Sequence, residues 1–451
     1  MATCPATSTI HRDDILLVKP SQPTPSNPLS FSSVDNDPNL EILCQTIYVY
    51  KTNPSTELDP ATVIQEALSK VLVYFYPLAG KLKRNNNDGE LQIVCTGEGV
   101  PFLAAKADCT LESLHYFEGS EVDIMKEFVF EVVGNEKEGA HPLVIQVTKF
   151  ACGGFTIGMG LYHTVCDGFG AAQFFRAMAE LASGKAECTV KPVWERERLV
   201  GRATNANFVP PPINSFATSP FLPTTDLVHE SFTLGSDCIS RLKTSLLNEK
   251  RAEDENENFT TLEVLSAYIW RARFKSLEMN LDGKTSFSLA IGIRHLLDPP
   301  LPNGYYGNAF VSSHVALMGK DLIESPLSRV VRLIKDGKRK ATKPEYISSW
   351  LDILESINQN RVKLEGNGAS MVLTDWRQLG LLEEVDFGWK EAVNVFPIPW
   401  KIFGYVDLCI FLPPCKLNPT MKGGVRVLVC LPRAAMTKFK QEMDALKLES
   451  D

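Results

Sequence analysis

Tyr162-His163-Thr164-Val165-Cys166-Asp167-Gly168 is a short polar knot between two apolar stretches, and what flanks it decides the fold class. Upstream, residues 142–162 are rich in Val, Ile, Phe and Gly and read as two strands separated by Cys152-Gly153-Gly154. Downstream, Phe169, Phe174, Phe175, Met178 and Leu181 recur at helical spacing. The knot is therefore a junction where a buried strand hands over to a helix, as in an α/β protein. Loops at strand ends are where catalytic side chains are displayed, and a histidine followed four residues on by an aspartate and then a glycine is the best candidate for chemistry in the chain.

The same mixture of elements extends in both directions. Residues 15–18 and 46–50 read as strands, and 60–74 as a helix with Val63, Ile64, Leu68, Val71 and Leu72 on one face and Pro60 in its first turn. Residues 91–94 and 101–104 are further strands, while 112–138 is acidic and has no clear period. Beyond the knot, Pro210, Pro211, Pro212, Pro220 and Pro223 interrupt all periodicity and mark an inter-domain linker. After it come strands at 228–234, 287–293, 310–316, 371–373, 408–412 and 425–430. Helices are expected at 237–247, 260–277, 328–338, 344–357 and 434–446, the second with a polar start at Thr260 and Thr261 and Glu263 in its first turn. No short repeat is present.

A chain of 451 residues is too long for one hydrophobic core, since single cores stop growing near roughly 250–300 residues. Two α/β domains of similar size are expected: 1–205, a linker at 206–226, and 227–451, with part of 380–405 packing back on the first. The net charge of −8 argues against a nucleic-acid partner. Eleven cysteines, dispersed and without a CxxC pair, fit reduced thiols in a cytoplasmic protein. No segment has the roughly 20 apolar residues of a membrane span, and no second cluster joins His163, Cys166 and Asp167 to suggest a metal site.

A buried, neutral imidazole near pH 7 can take a proton from an attacking nucleophile; a histidine that merely satisfies a buried turn is the other reading, and the residues alone leave both open. Cys166 invites a nucleophile reading, but its base would normally come from a distant segment, so a small packed residue is the simpler assignment. Further on stands Asp386-Phe387-Gly388-Trp389. Asp-Phe-Gly occurs in protein kinases, but no Gly-rich phosphate loop or His-Arg-Asp loop accompanies it. The plain alternative is a tight turn in which Gly388 supplies an unusual backbone angle.

Together, His163-Thr164-Val165-Cys166-Asp167-Gly168 and Asp386-Phe387-Gly388-Trp389 are far more specific than either alone. The chain resembles the BAHD acyltransferases, plant enzymes that use acyl-coenzyme A, and within them most resembles the alcohol and taxane acyltransferase branch. Supporting stretches run almost end to end: PSQPTP (20–25), YPLAGKL (76–82), CTGEGV (95–100), QVTKFACGGF (146–155) and LPNGYYGN (301–308).

The resemblance implies a fold of two chloramphenicol-acetyltransferase-like domains with a solvent channel between them and His163 at its centre. It implies transfer of an acyl group from acyl-CoA to a hydroxyl or amine of a plant specialised metabolite. His163 acts as general base, with no covalent intermediate, no metal, no permanently bound cofactor and no partner chain. Asp167 pairs with Arg294 as a structural brace, and Asp386 and Gly388 are structural as well. Thr374 and Trp376 serve the oxyanion or the acceptor, and free N–H groups at Thr260 and Thr261 suit a coenzyme A phosphate. The motif's usual final glycine is Lys390 here, which is expected to be tolerated because the turn angle rests on Gly388. That departure also leaves open a catalytically silent binding protein of the same fold.

Overall fold

The computed structural model describes residues 9–448 apart from 86–88, 120–121, 135–136, 203–211, 250–257, 363–365, 367, 384 and 399–407. Residues 206–211 of the linker expected at 206–226, and residues 399–405 of the segment expected to pack back, lie outside the described residues.

Two large mixed sheets dominate. The first contains β1 (Ile10–Arg12), β2 (Leu16–Val18), β4 (Leu43–Tyr50), β7 (Val100–Ala107), β8 (Leu143–Phe150), β9 (Phe155–Tyr162) and β14 (Asn394–Pro397). Its order is β1-β7-β8-β9-β4-β14, with β2 also on β7, and only β7 and β8 run parallel. The second contains β10 (Leu227–Leu234), β11 (Lys284–Gly292), β12 (Phe310–Met318), β13 (Ser370–Asp375), β15 (Leu408–Leu412) and β16 (Val425–Pro432). Its order is β10-β16-β15-β13-β11-β12, with β13 parallel to both neighbours. A small sheet of β3 (Leu29–Ser30), β6 (Leu91–Val94) and β5 (Lys81–Arg84) stands apart.

Helices cover these sheets. α1 (Pro60–Val71) and α3 (Gly168–Ala182) pack together over the first, while α2 (Val122–Met125) is a single turn in the acidic stretch. α4 (Ser236–Asn248), α5 (Thr261–Ser276), α7 (Leu327–Ala341) and α9 (Arg433–Leu448) gather on the second, with α5 at the centre. The short α6 (Gly319–Glu324) links β12 to α7, and α8 (Pro344–Asn360) follows α7.

The central strands explain themselves. β8 is buried along nearly its whole length, with Leu143, Val144, Ile145, Val147 and Phe150 supplying the apolar surface of a strand covered on both faces. β9 carries Gly158 where a Cβ would lie 2.1 Å from the Phe128 carbonyl, so the neighbouring chain can press onto the sheet only because no side chain is there. Each sheet has its own core, and a third apolar cluster joins them: Ile47 and Val49 of β4 meet Ile410 and Leu412 of β15 and Leu428 of β16. The strand β14 completes that join, since it follows β13 in the chain yet pairs with β4 of the first sheet, Val395 opposite Tyr48.

Candidate active site

β9 ends at Tyr162 and α3 begins at Gly168, so the knot is the loop between them. Its main chain is pinned from several directions. The His163 N–H donates to the Ile42 carbonyl at 2.9 Å, and Asn308 Nδ2 donates to the His163 carbonyl at 2.7 Å. Asn308 in turn donates through N and Nδ2 to Asp35 Oδ1, each at 2.8 Å. Arg196 Nη1 donates to Asp35 Oδ2 at 2.9 Å while its Nη2 donates to the Val165 carbonyl at 2.8 Å. The side chains of Arg196 and Asp35 are only 3% and 0% exposed. A buried charge pair of this kind is tolerated because Asp35 also accepts from Ser32 and Asn308 and Arg196 also reaches the Val165 carbonyl, leaving only the Arg196 Nε without a partner within the pair. Breaking it by removing one member costs about 3–5 kcal/mol.

This scaffold turns the His163 side chain into a cavity of about 1030 Å³ walled by both sheets. Tyr48 and Leu161 line it from the first; Ser288, Phe310, Thr374 and the adjoining Trp376 line it from the second side. The His163 and Phe310 rings lie 6.2 Å apart, edge to face. Burial pushes the imidazole below its ordinary value of 6.5, against a hydrogen bond with its own main chain and the charges of Asp167 and Asp37, which pull the other way. At neutral pH it is an uncharged base facing an open space.

Asp167 borders that space, but its carboxylate is engaged by Arg294 and by main-chain N–H groups. Arg294 Nη1 and Nη2 donate to its two carboxylate oxygens at 2.7 and 2.8 Å, and the Ala309 and Gly170 N–H groups add 3.0 and 3.1 Å bonds. The last of these makes Asp167 the cap of α3. Burial alone would raise its carboxyl, but Arg294 and the hydrogen bonds outweigh burial and hold it below the usual carboxylate range. Arg294 also donates to the Gly307 carbonyl at 2.9 Å and lies over the Phe169 ring. A pair between the knot and the far end of β11 thus ties the two lobes at the cavity.

Cys166 is buried, its thiol pushed up to about 12 by desolvation and 3.5 Å from the Tyr306 hydroxyl. It is a protonated packing residue. Among the described residues no group of three or more His, Cys, Asp or Glu side chains is placed to hold a metal, and no helix is long and apolar enough to cross a membrane.

Asp386 and Gly388 stand away from the cavity, in a turn stapled to the first sheet. Asp386 Oδ1 accepts from the Gly388 N–H at 2.7 Å, and Asn53 Nδ2 donates to the Gly388 carbonyl at 2.9 Å. Phe387 packs on Tyr50 and Phe175, and Trp389 on Phe155. The expectation that Gly388 alone carries the turn needs correcting: φ is +103° at Gly388 and +66° at Lys390, so the lysine itself occupies a left-handed conformation. The following residues leave the turn to become β14, and two reversals in quick succession require both angles.

At the start of α5, the N–H of Thr260 is not free. Glu263 Oε2 accepts it at 2.9 Å, and Thr260 Oγ1 accepts from the Glu263 N–H at 3.3 Å, a closed capping box. The acidic residue that strengthened the helix reading is the one that occupies this amide. Lys338 Nζ lies 2.7 Å from Glu263 Oε1. Neither threonine lines the cavity, although the next residue, Leu262, does.

Asp35, Asp37 and Arg196 escaped the sequence reading. The only available signal was charge inside otherwise small or apolar stretches, Ser32-Ser33-Val34-Asp35-Asn36-Asp37 and Trp194-Glu195-Arg196, which a solvated loop would also produce.

Comparison with known proteins gives consistent results. The family model of the Transferase family matches residues 9–446. The chain is 45% identical to spermidine coumaroyl-CoA acyltransferase of Arabidopsis thaliana, over 97% of this chain and 96% of that one. It is 42% identical to spermidine sinapoyl-CoA acyltransferase of the same plant, covering 96% of each. Against taxadien-5-alpha-ol O-acetyltransferase of Taxus chinensis the identity is 32%, covering 97% of each. Among solved structures, vinorine synthase superposes with a TM-score of 0.75 at 21% identity, over 97% of this chain and 98% of that one. The shared architecture is the two-domain, chloramphenicol-acetyltransferase-like α/β fold.

Proposed function

The chain belongs to the BAHD acyl-CoA-dependent acyltransferases of the Transferase family, and we propose that His163 is the general base of its reaction. The enzyme transfers an acyl group from an acyl-CoA thioester to a hydroxyl or amine of a plant metabolite, releasing an ester or amide and free coenzyme A. One observation carries the assignment of His163: a desolvated, uncharged imidazole faces a cavity large enough for both substrates.

His163 takes the proton of the acceptor as its oxygen or nitrogen attacks the thioester carbonyl. The carbonyl oxygen gains negative charge, for which we assign the Thr374 hydroxyl as donor, with Trp376 walling the acceptor side. The carbon–sulfur bond then breaks and the sulfur leaves with the proton that His163 carried. A thioester is already activated, so positioning and proton transfer suffice and no acyl-enzyme need form.

Asp167 and Arg294 brace the knot, and Asp386 and Gly388 hold the turn that returns the chain to the first lobe. For coenzyme A we keep the start of α5, with Thr261 as the residue left to contact it, since the capping box occupies Thr260. The domain division at 206–226 is retained, with β14 assigned to the first lobe by its pairing. A monomeric, cytoplasmic enzyme without a resident cofactor completes the proposal.

For the acceptor we propose an aliphatic polyamine, and for the donor an aromatic acyl-CoA, because two relatives above 40% identity are named for spermidine and for coumaroyl- or sinapoyl-CoA. The binding-only reading rested on Lys390, and the turn keeps its left-handed form with the lysine in place. The test is release of coenzyme A thiol when purified protein meets coumaroyl-CoA and a panel of amines and alcohols, with products weighed by mass spectrometry. Thiol release with an acylated amine supports the reading; no release with any acceptor overturns it.

A further inference from the structure

The cavity has a charge imbalance that the reaction itself does not require. Among the described residues that line it, the acidic side chains are Asp37, Asp167 and Asp375, and no lysine or arginine is present. Two of these carboxylates are already neutralised. Asp167 is held by Arg294, and Asp375 by Arg377, whose Nε and Nη2 donate to it at 2.8 and 2.6 Å.

Asp37 is different. Its two side-chain hydrogen bonds come from the N–H and Nδ2 of Asn39, at 2.9 and 2.6 Å, and both fall on Oδ1. Among the described residues no cation pairs with it. The side chain is half-buried and turned to the cavity, close enough to His163 for its charge to act on the imidazole. Burial raises its carboxyl above the ordinary 3.8, against the two Asn39 hydrogen bonds and His163. A carboxylate desolvated without a countercharge is destabilising in itself, and a cation brought in with the substrate removes that penalty.

We propose that Asp37 holds a protonated amine of the acceptor while a second, neutral nitrogen of the same molecule faces His163, so that the site selects polyamines over monoamines. The inference rests on the acyltransferase reading above and extends it to a specificity-determining residue. A monoamine has one nitrogen and must give up its positive charge to attack, so it cannot satisfy Asp37 and react at the same time. A polyamine divides the two tasks: one ammonium stays protonated on Asp37 throughout, and the other nitrogen, its lone pair free, forms the new C–N bond and passes its proton to His163.

The experiment compares kcat/KM for spermidine and for 1-butylamine, with coumaroyl-CoA as donor, in the wild-type enzyme and in Asp37→Asn and Asp37→Glu. Asparagine keeps the acceptor oxygen for Asn39 and removes only the charge. The expected result is a wild-type preference for spermidine that falls about 10- to 100-fold in Asp37→Asn, the worth of a charge-assisted hydrogen bond, through KM rather than kcat, and that Asp37→Glu largely restores. An Asp37→Asn enzyme that keeps the preference, or that loses both acceptors by the same factor, overturns the assignment of Asp37 while leaving the acyltransferase reading intact. A wild-type enzyme that releases thiol with alcohols but with no amine overturns the amine-acceptor reading and this proposal together.

Discussion

At the scale of single residues, the chemistry depends on where two neighbouring side chains point. His163 lies near Asp167 in the chain, and a carboxylate paired with the imidazole would raise it against burial. Arg294 takes up the Asp167 charge, so burial prevails and the imidazole sits below 6.5. A base is active only when unprotonated, so with an alcohol acceptor, which adds no titration of its own in this range, kcat/KM for acyl-CoA is expected to persist below pH 6.5 and to fall as pH drops through the lowered value. A pH–rate profile at saturating acceptor checks this, and an acid limb above 6.5 contradicts it. For Asp167 the linkage concerns stability. A carboxyl held below 3.8 gives its full stabilisation above that value and loses it as pH falls through the lowered one. Asp167→Asn leaves Arg294, only 15% exposed, without its countercharge, and is expected to lower unfolding free energy by about 3 kcal/mol. Denaturant titration measures that; a variant of normal stability but no activity would instead make Asp167 a direct partner of the imidazole. The spacing of the two residues was legible in the sequence. Their divergence was not, because the arginine that draws Asp167 away arrives from the other lobe and was placed only by resemblance.

At the scale of elements, the periodic segments were legible and the exceptions share one cause. β9, α3, α5, α7 and α9 carry apolar periods long enough to announce themselves. β14 has four residues, Asn-Val-Phe-Pro, too few for a period, and its partner β4 lies far back in the chain. β5 reads Lys-Leu-Lys-Arg and is a strand only because β6 pairs with it. Tertiary pairing made these strands, and local pattern carries no trace of it. The turn before β14 shows the same tension, since Lys390 adopts φ +66° where a side chain is disfavoured. A non-glycine residue in that region is strained by about 1–2 kcal/mol, partly offset by the entropy glycine would lose on folding. Lys390→Gly is therefore expected to raise stability by up to about 1 kcal/mol and to leave KM for acyl-CoA unaltered. A marked change in that KM would give the lysine a binding role.

At the scale of the whole molecule, the cavity exists because two sheets meet without filling the space between them. The apolar cluster around Ile47, Phe396 and Ile410 and the Asp167–Arg294 pair fix the lobes against each other, and the buried Asp35–Arg196–Asn308 network fixes the knot within that frame. Composition and length announced two lobes; the charge inside their cleft depends on which carboxylates find arginines, and no local pattern encodes that. The central claim is that one imidazole in this cleft removes the acceptor's proton. The most direct measurement is the rate of coenzyme A thiol release from coumaroyl-CoA and spermidine by wild-type protein and by His163→Ala, with melting temperatures recorded in parallel. The predicted result is a loss of about a thousandfold, in the range for removing a general base, at an unchanged melting temperature, because the bonds that pin the knot here belong to the His163 main chain. A His163→Ala enzyme that melts normally and turns over within about tenfold of wild type would contradict it.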